Sequence, residues 1–348
     1  MSDSNQQQPT SGLPPLTSFP RIVFMGTPDF AVASLDALVK AGANIVGVIT
    51  APDKPAGRGM KLTQSAVKQY AVDKGLRLLQ PEKLKNPAFL EALKALRADL
   101  QIVVAFRMLP ELVWNMPPMG TINLHGSLLP QYRGAAPINW AVINGEIETG
   151  VTTFKLQHAI DTGNILLQER FPIGENETAG EVHDRMKEIG ARVLVETVKG
   201  LAAGTLQEMP QSGAGSQESG VGSQESGAGS REPGAGNNNH EAQLKHAPKI
   251  FTETSKIDWT KPVAEIHNLI RGLSPYPGAF TSLQDKTLKI YRSRKEPAAV
   301  TTPAGQWLTD HKTWLKFAAS DGYIQVIELQ LEGKKKMGIE EFLRGYRF

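Results

Sequence analysis

Cysteine is absent from all 348 residues, which excludes disulfides, iron–sulfur clusters and thiolate zinc sites. No run of about 18 apolar residues occurs, so no membrane-spanning helix is expected. The opening MSDSNQQQPTSGLPPLTSFP lacks the basic start and apolar stretch of a secretion signal and reads as a disordered tail over residues 1–20. Together these absences predict a cytoplasmic protein. The phosphate-loop pattern GxxxxGK[ST] is missing. The string MGTPDF, which follows the first predicted strand, lacks the second and third glycines of a dinucleotide fingerprint. The seven histidines show no paired ligand spacing, so no metal is expected.

What is present suffices for a sizeable core. Hydrophobic residues make up 40% of the chain, and the length suits about two domains. The net charge of +3 is modest but unevenly spread. From Lys245 to the end there are 17 Lys and Arg against 11 Asp and Glu, a net of +6, which leaves −3 for the rest. A basic C-terminal part suggests a polyanionic partner, although a solvated basic surface accounts for the excess equally well.

Short apolar strands alternate with helical periodicity from Arg21 onward. Strands are expected at 21–25, 45–49, 77–79, 100–105 and 121–124, with helices at 30–39, 65–74, 87–96 and 137–144. A late antiparallel pair at 151–156 and 165–171 and a long helix at 178–201 follow. This predicts an α/β fold with a Rossmann-like, mostly parallel sheet covered by helices on both faces. Residues 211–239 contain GSQESGVGSQESGAGSREPGAGNNN, a composition that cannot bury a core and reads as a flexible insertion. Beyond it lie a helix at 263–271 and strands at 279–283, 287–292, 314–318 and 323–331, suggesting a small OB-like β-barrel. The expected divisions are a tail at 1–20, a first domain at 21–205, a linker with the insertion at 206–247, and a C-terminal barrel at 248–348.

The densest polar cluster is NLHGSLLPQYRG, residues 123–134, which follows a predicted strand and so lies at the carboxyl edge of the sheet. Strand alternation points Asn123 and His125 to the same side. A second cluster, Asp161-Thr162-Gly163-Asn164, joins two predicted strands and is placed to fold over the first. An amide, an imidazole and a carboxylate on converging loops suit acyl transfer to an amine. Asn123 and His125 would donate to the oxygen of a tetrahedral intermediate. Asp161 would accept a proton through water or orient the imidazole. Taken singly, a histidine after a strand is more often structural, and Asp-Thr-Gly is a common turn. His158 reads best as a partly exposed strand residue. The loop APDKPAGRGMKL, residues 51–62, is long for a strand-to-helix connection and carries Arg58 between glycines, where it can project.

The strings FMGTPDFA, APDKPAGRG, NLHGSLLPQYRGAAPINWA, GVTTFKL and IDTGNIL, with IDW and LQLEGKKKMGIEEFLRG near the end, resemble the methionyl-tRNA formyltransferase family. That resemblance spans residues 21–348 apart from the insertion. It implies an enzyme that moves a formyl group from 10-formyltetrahydrofolate, a reduced folate, to the amino group of methionyl initiator tRNA. Asn123, His125 and Asp161 match the family's catalytic trio. Ser127, Leu128, Leu129 and Pro130 match its tetrahydrofolate-binding stretch, and Arg58 matches the arginine of the loop that enters the tRNA acceptor end. The family implies a formyltransferase catalytic domain first, a tRNA-contacting barrel second, and no metal; a monomer is expected. Arg107 stands where many relatives carry glycine in the pterin-pocket loop, and His158 and Ala159 replace more usual residues before Asp161. Two other functions share parts of this pattern. One is folate-dependent formyl transfer or hydrolysis on a purine precursor, an amino sugar or water; the other is RNA binding without catalysis on the same scaffold.

Overall fold

The computed structural model describes residues 19–56, 61–211 and 244–347. The tail expected over 1–20, Arg58, and the Gly/Ser-rich insertion apart from Gln211 lie outside them, save Phe19 and Pro20. In chain order the elements begin with β1 (Arg21–Gly26), α1 (Asp29–Lys40), β2 (Asn44–Ile49), β3 (Lys54–Ala56), β4 (Lys61–Thr63), α2 (Ala66–Asp73), β5 (Leu78–Leu79) and α3 (Pro87–Ala95). Next come β6 (Leu100–Val104), α4 (Glu111–Trp114), β7 (Thr121–His125), β8 (Arg133–Gly134), α5 (Pro137–Ile143), β9 (Glu148–Lys155), β10 (Ile165–Pro172) and α6 (Ala179–Ala203). The C-terminal part holds β11 (His246–Ala247), α7 (Val263–Gly272), β12 (Ala279–Leu283), β13 (Lys286–Pro297), β14 (Trp307–Thr309), β15 (Leu315–Ala318), β16 (Gly322–Leu331), β17 (Met337–Gly338) and α8 (Ile339–Gly345).

The first sheet runs β10-β9-β7-β6-β1-β2-β5. Its strands are parallel from β7 to β5, and β9 and β10 are antiparallel at the other edge. All of β6 and nearly all of β1 is buried, as expected of strands covered on both faces. Alternation sorts their side chains into two layers. Ile22 and Phe24 join the cluster with Leu35 and Leu38 of α1 and Leu194 and Val198 of α6. Val23 and Met25 join the opposite cluster with Phe89 and Leu93 of α3 and Val113 of α4. Each such side chain contributes about 1.5–3 kcal/mol by leaving water. The helix α6 is held at both ends. Thr178 and Glu181 form a reciprocal capping box, and Gly204 closes the C-terminus in the left-handed region at φ +67°.

The C-terminal strands form one antiparallel sheet in the order β12-β13-β16-β15-β14, with β17 on β16. It curls into a half-barrel, helped by the two register shifts of β13 between Ile290 and Ser293, since bulges bend a strand. Trp259 stacks on Phe317 with centroids 4.7 Å apart inside its core. The two halves meet where Asn139 Nδ2 donates to Gly272 O at 2.7 Å and Arg271 Nη1 donates to Glu177 O at 3.1 Å. Arg292 also pairs with Glu181 at 2.6 Å.

Candidate active site

Three left-handed non-glycine residues stand in the loops leaving the first sheet: Ala105 (φ +47°) after β6, Tyr132 (φ +60°) after β7 and Asp161 (φ +54°) after β9. Such conformations cost energy and concentrate at functional sites. Tyr132 and Asp161 meet around His125, the last residue of β7. His125 is 6% exposed. Its Nε2 lies 2.9 Å from the main-chain oxygen of Tyr132, so this nitrogen carries a proton and donates it. The ring lies edge-on to Phe154. The other nitrogen, Nδ1, faces Asp161 Oδ2 at 3.8 Å. That distance is longer than a direct hydrogen bond.

Asp161 is aimed by the main chain, because Gly134 N donates to its Oδ2 at 3.0 Å. Two glycines shape this corner, one in each loop. A Cβ on Gly163 would lie 1.6 Å from Lys155 O, and Gly134, at φ +126°, would place one 2.5 Å from Ala247 O. Asn123 sits two residues before His125 on β7, opposite Phe154 of β9. Among the described residues nothing hydrogen-bonds its side-chain amide, which leaves both donors free for a ligand. The structure therefore brings His125 and Asp161 face to face, with Asn123 beside His125 on the same strand.

The stretch Ser127–Pro130 forms the frame of this loop. Ser127 Oγ donates to Gln131 O at 2.6 Å, and Leu129 packs with Phe154 and Ile165. Thr152 Oγ1 donates to Ser127 O at 2.7 Å and accepts from Leu129 N at 3.2 Å. Gln168 Nε2 donates to Leu129 O at 2.8 Å. Ser127 and Leu129 thus spend their side chains inside the protein. Tyr132 is buried, and burial pushes its phenol well above the usual range.

A cavity of about 550 Å³ opens at the same carboxyl edge, beyond β6. Leu84, Arg107, Met108, Leu109 and Leu112 line it, and its volume suits a small-molecule ligand. Arg107 Nη1 donates to Glu82 O at 2.8 Å and Nη2 donates to Pro81 O. Burial lowers the guanidinium from its ordinary value. His158 proves to be a surface loop residue rather than a strand residue. It is 79% exposed, with Nε2 3.2 Å from Glu111 and its ring edge-on to Trp114. Among the described residues no group of His, Asp and Glu is arranged to hold a metal ion, and no helix is long and apolar enough to cross a membrane.

The sequence reading missed Thr152, Gln168 and Gln211, which hold the candidate loops. Thr152 lies in a strand buried along nearly its whole length and Gln211 in a segment without periodicity, so neither carries a local signal.

A profile described as formyl transferase matches residues 20–198, and one described as formyl transferase, C-terminal domain, matches residues 249–347. The methionyl-tRNA formyltransferase of Parabacteroides distasonis is 54% identical over 333 residues, covering 94% of this chain and 96% of that protein. Those of Bacteroides fragilis and Flavobacterium johnsoniae are 51% and 48% identical, each again covering 94% of this chain, and 95% and 96% of those proteins. Among solved structures, a sugar 3N-formyl transferase called WlaRD superposes with a TM-score of 0.61 at 19% identity, covering 91% of this chain and 99% of that one. At that identity the likeness speaks for the fold alone.

Proposed function

The chain belongs to the methionyl-tRNA formyltransferase family, and from that premise we propose how its residues transfer a formyl group from 10-formyltetrahydrofolate to the amino group of methionyl initiator tRNA. The observation that carries the reading is the facing pair of His125 Nδ1 and Asp161 Oδ2, 3.8 Å apart beside the unpaired Asn123 amide.

The neutral amine attacks the formyl carbon directly, so no protein nucleophile is required. As the new N–C bond forms, the carbonyl electrons move to oxygen. Asn123 Nδ2 and a protonated His125 Nδ1 donate to that oxygen, each donor being worth about a hundredfold or more in rate. Asp161 takes the proton released by the amine through water. Collapse of the intermediate breaks the bond from carbon to the folate nitrogen, which receives the proton that Asp161 took from the amine, so protons balance overall. Because Nε2 is tied to Tyr132 O, Nδ1 is the nitrogen that acts.

The pterin end of the folate occupies the cavity beyond β6, and Ser127, Leu128, Leu129 and Pro130 form the tetrahydrofolate-binding stretch. Arg58 reaches the tRNA acceptor end. Residues 21–205 carry catalysis, and the basic residues of 248–348 hold tRNA. The chain acts in the cytoplasm as a monomer. The test offers the purified protein formyl-labelled 10-formyltetrahydrofolate with charged initiator tRNA, an amino-sugar nucleotide or a purine precursor. Label on the methionyl amine of tRNA is expected. Label on either other acceptor with tRNA ignored would replace this reading by another formyl transfer, and RNA binding without turnover would remove catalysis altogether.

A further inference from the structure

Gln211 is 6% exposed and uses the whole of its amide. Nε2 donates to Asp161 O at 2.9 Å and to Gly163 O at 2.7 Å. Oε1 accepts from Arg133 Nη2 at 2.6 Å and from Nε at 3.1 Å. A primary amide has two donors and two acceptor lone pairs, and all four are used here. One side chain thereby ties the loop that presents Asp161 to the loop that leaves His125. Arg133 is half-buried, and burial lowers its guanidinium from the ordinary value while Asp161 works the other way.

The segment that carries Gln211 is itself fastened. Met209 and Ile165 exchange main-chain hydrogen bonds at 2.9 and 2.8 Å, and Glu208 accepts from Asn164 at 3.1 Å and pairs with Lys155. The far side of the same loop is held by β11. Tyr132 N donates to Lys245 O, Ala135 N donates to Ala247 O, and β11 pairs with β8. Packing alone requires no such set of directed bonds. Buried polar groups left unpaired would cost about 1–3 kcal/mol each, so removing this amide orphans two carbonyls and a guanidinium at the mouth of the site.

We propose that Gln211 is a positioning residue for formyl transfer, holding Asp161 at the distance and angle from His125 that the reaction needs. This rests on the reading given under Proposed function. Two variants probe it, and both are expected to fail. Gln211→Ala removes every bond. Gln211→Glu keeps the acceptor for Arg133 but has no donor for the carbonyls of Asp161 and Gly163.

The test measures kcat and both KM values for formyl-folate and charged initiator tRNA in the full chain, with circular dichroism and thermal melting alongside. Both variants are expected to remain folded and to lose at least about tenfold in kcat, with each KM within about threefold of wild type. Glutamate should fail to restore the rate. A kcat within threefold of wild type in either variant would overturn the proposal, as would a loss confined to KM. Unfolding of both variants would overturn it in favour of a purely structural role. Absence of transfer by the wild-type protein would instead remove the functional reading, and this proposal with it.

Discussion

On the mechanism proposed above, replacing His125 or Asn123 by alanine removes one donor to the developing oxyanion, and the histidine change also removes the bond to Tyr132 O. Each change is expected to lower kcat at least about a hundredfold while folate binding stays close to wild type. Steady-state kinetics with equilibrium folate binding checks this, and near-normal turnover in either variant would refute its role. Gly163→Ala tests the other side of the site. Its Cβ would fall 1.6 Å from Lys155 O, so the turn carrying Asp161 must move. We expect a loss of about 1–3 kcal/mol in stability with a fall in kcat, measured by urea unfolding and kinetics. His267 provides a pH signature away from the site. It is 2% exposed, with Nδ1 3.0 Å from Ser293 Oγ. Burial, aided by Lys295 and Arg271, lowers its pKa from 6.5 to about 4, while Glu175 opposes. The folded protein keeps this imidazole neutral while the unfolded chain takes up a proton below pH about 6.5. Stability is therefore fully present above that pH and falls as pH drops towards 4, by up to about 3 kcal/mol. Urea unfolding at pH 7 and pH 4.5 should show that loss, and His267→Gln should remove most of it. An unchanged slope in the variant would contradict the assignment. Among single residues, Asn123 and His125 were legible from strand alternation. Asp161 was picked out by a common turn motif and the family likeness, because its approach to His125 depends on a loop whose path no local pattern encodes.

Among the elements, the capping box of α6 gives a direct stability test. Thr178→Ala removes the side chain that accepts from Glu181 N and should cost about 1 kcal/mol, read from denaturant midpoints; a change below a few tenths would show that the cap is redundant. The long elements could be read from the sequence. The apolar strand β6 and the periodic helices α1, α3 and α6 lie within two residues of their expected bounds. The four C-terminal strands expected by alternation are also present as β12, β13, β15 and β16. Others could not be read. The strands β8, β11, β14 and β17 are two or three residues long, too short for periodicity, and they exist because tertiary contacts bring their partners alongside. Thus β8 meets β11 only because the chain returns past residue 244 to the loop holding Tyr132.

In the whole molecule, the residues flanking the insertion are bonded to the loops of the candidate site. The sequence reading gave Gln211 to an inert insertion, yet its side chain is bonded into the candidate site, while Lys245 and Ala247 bond the same loop from the other side. Both flanks therefore start close together. Deleting residues 212–237 leaves six residues to bridge them, a reach of about 20 Å. Turnover is expected to stay within a few fold, measured on the shortened chain, whereas a deletion that also takes Gln211 should not be tolerated. A large loss of tRNA affinity in the first deletion would give the insertion a role in binding. The account as a whole turns on His125 and Asp161 working on one carbonyl as a unit. Its sharpest test is a double-mutant cycle on kcat with His125→Ala, Asp161→Asn and the pair combined, using charged initiator tRNA. Residues acting as a unit give strongly non-additive losses, so the double variant should be little worse than the weaker single one. Losses that multiply would mean that the two groups act independently, and the arrangement proposed for the site would be wrong.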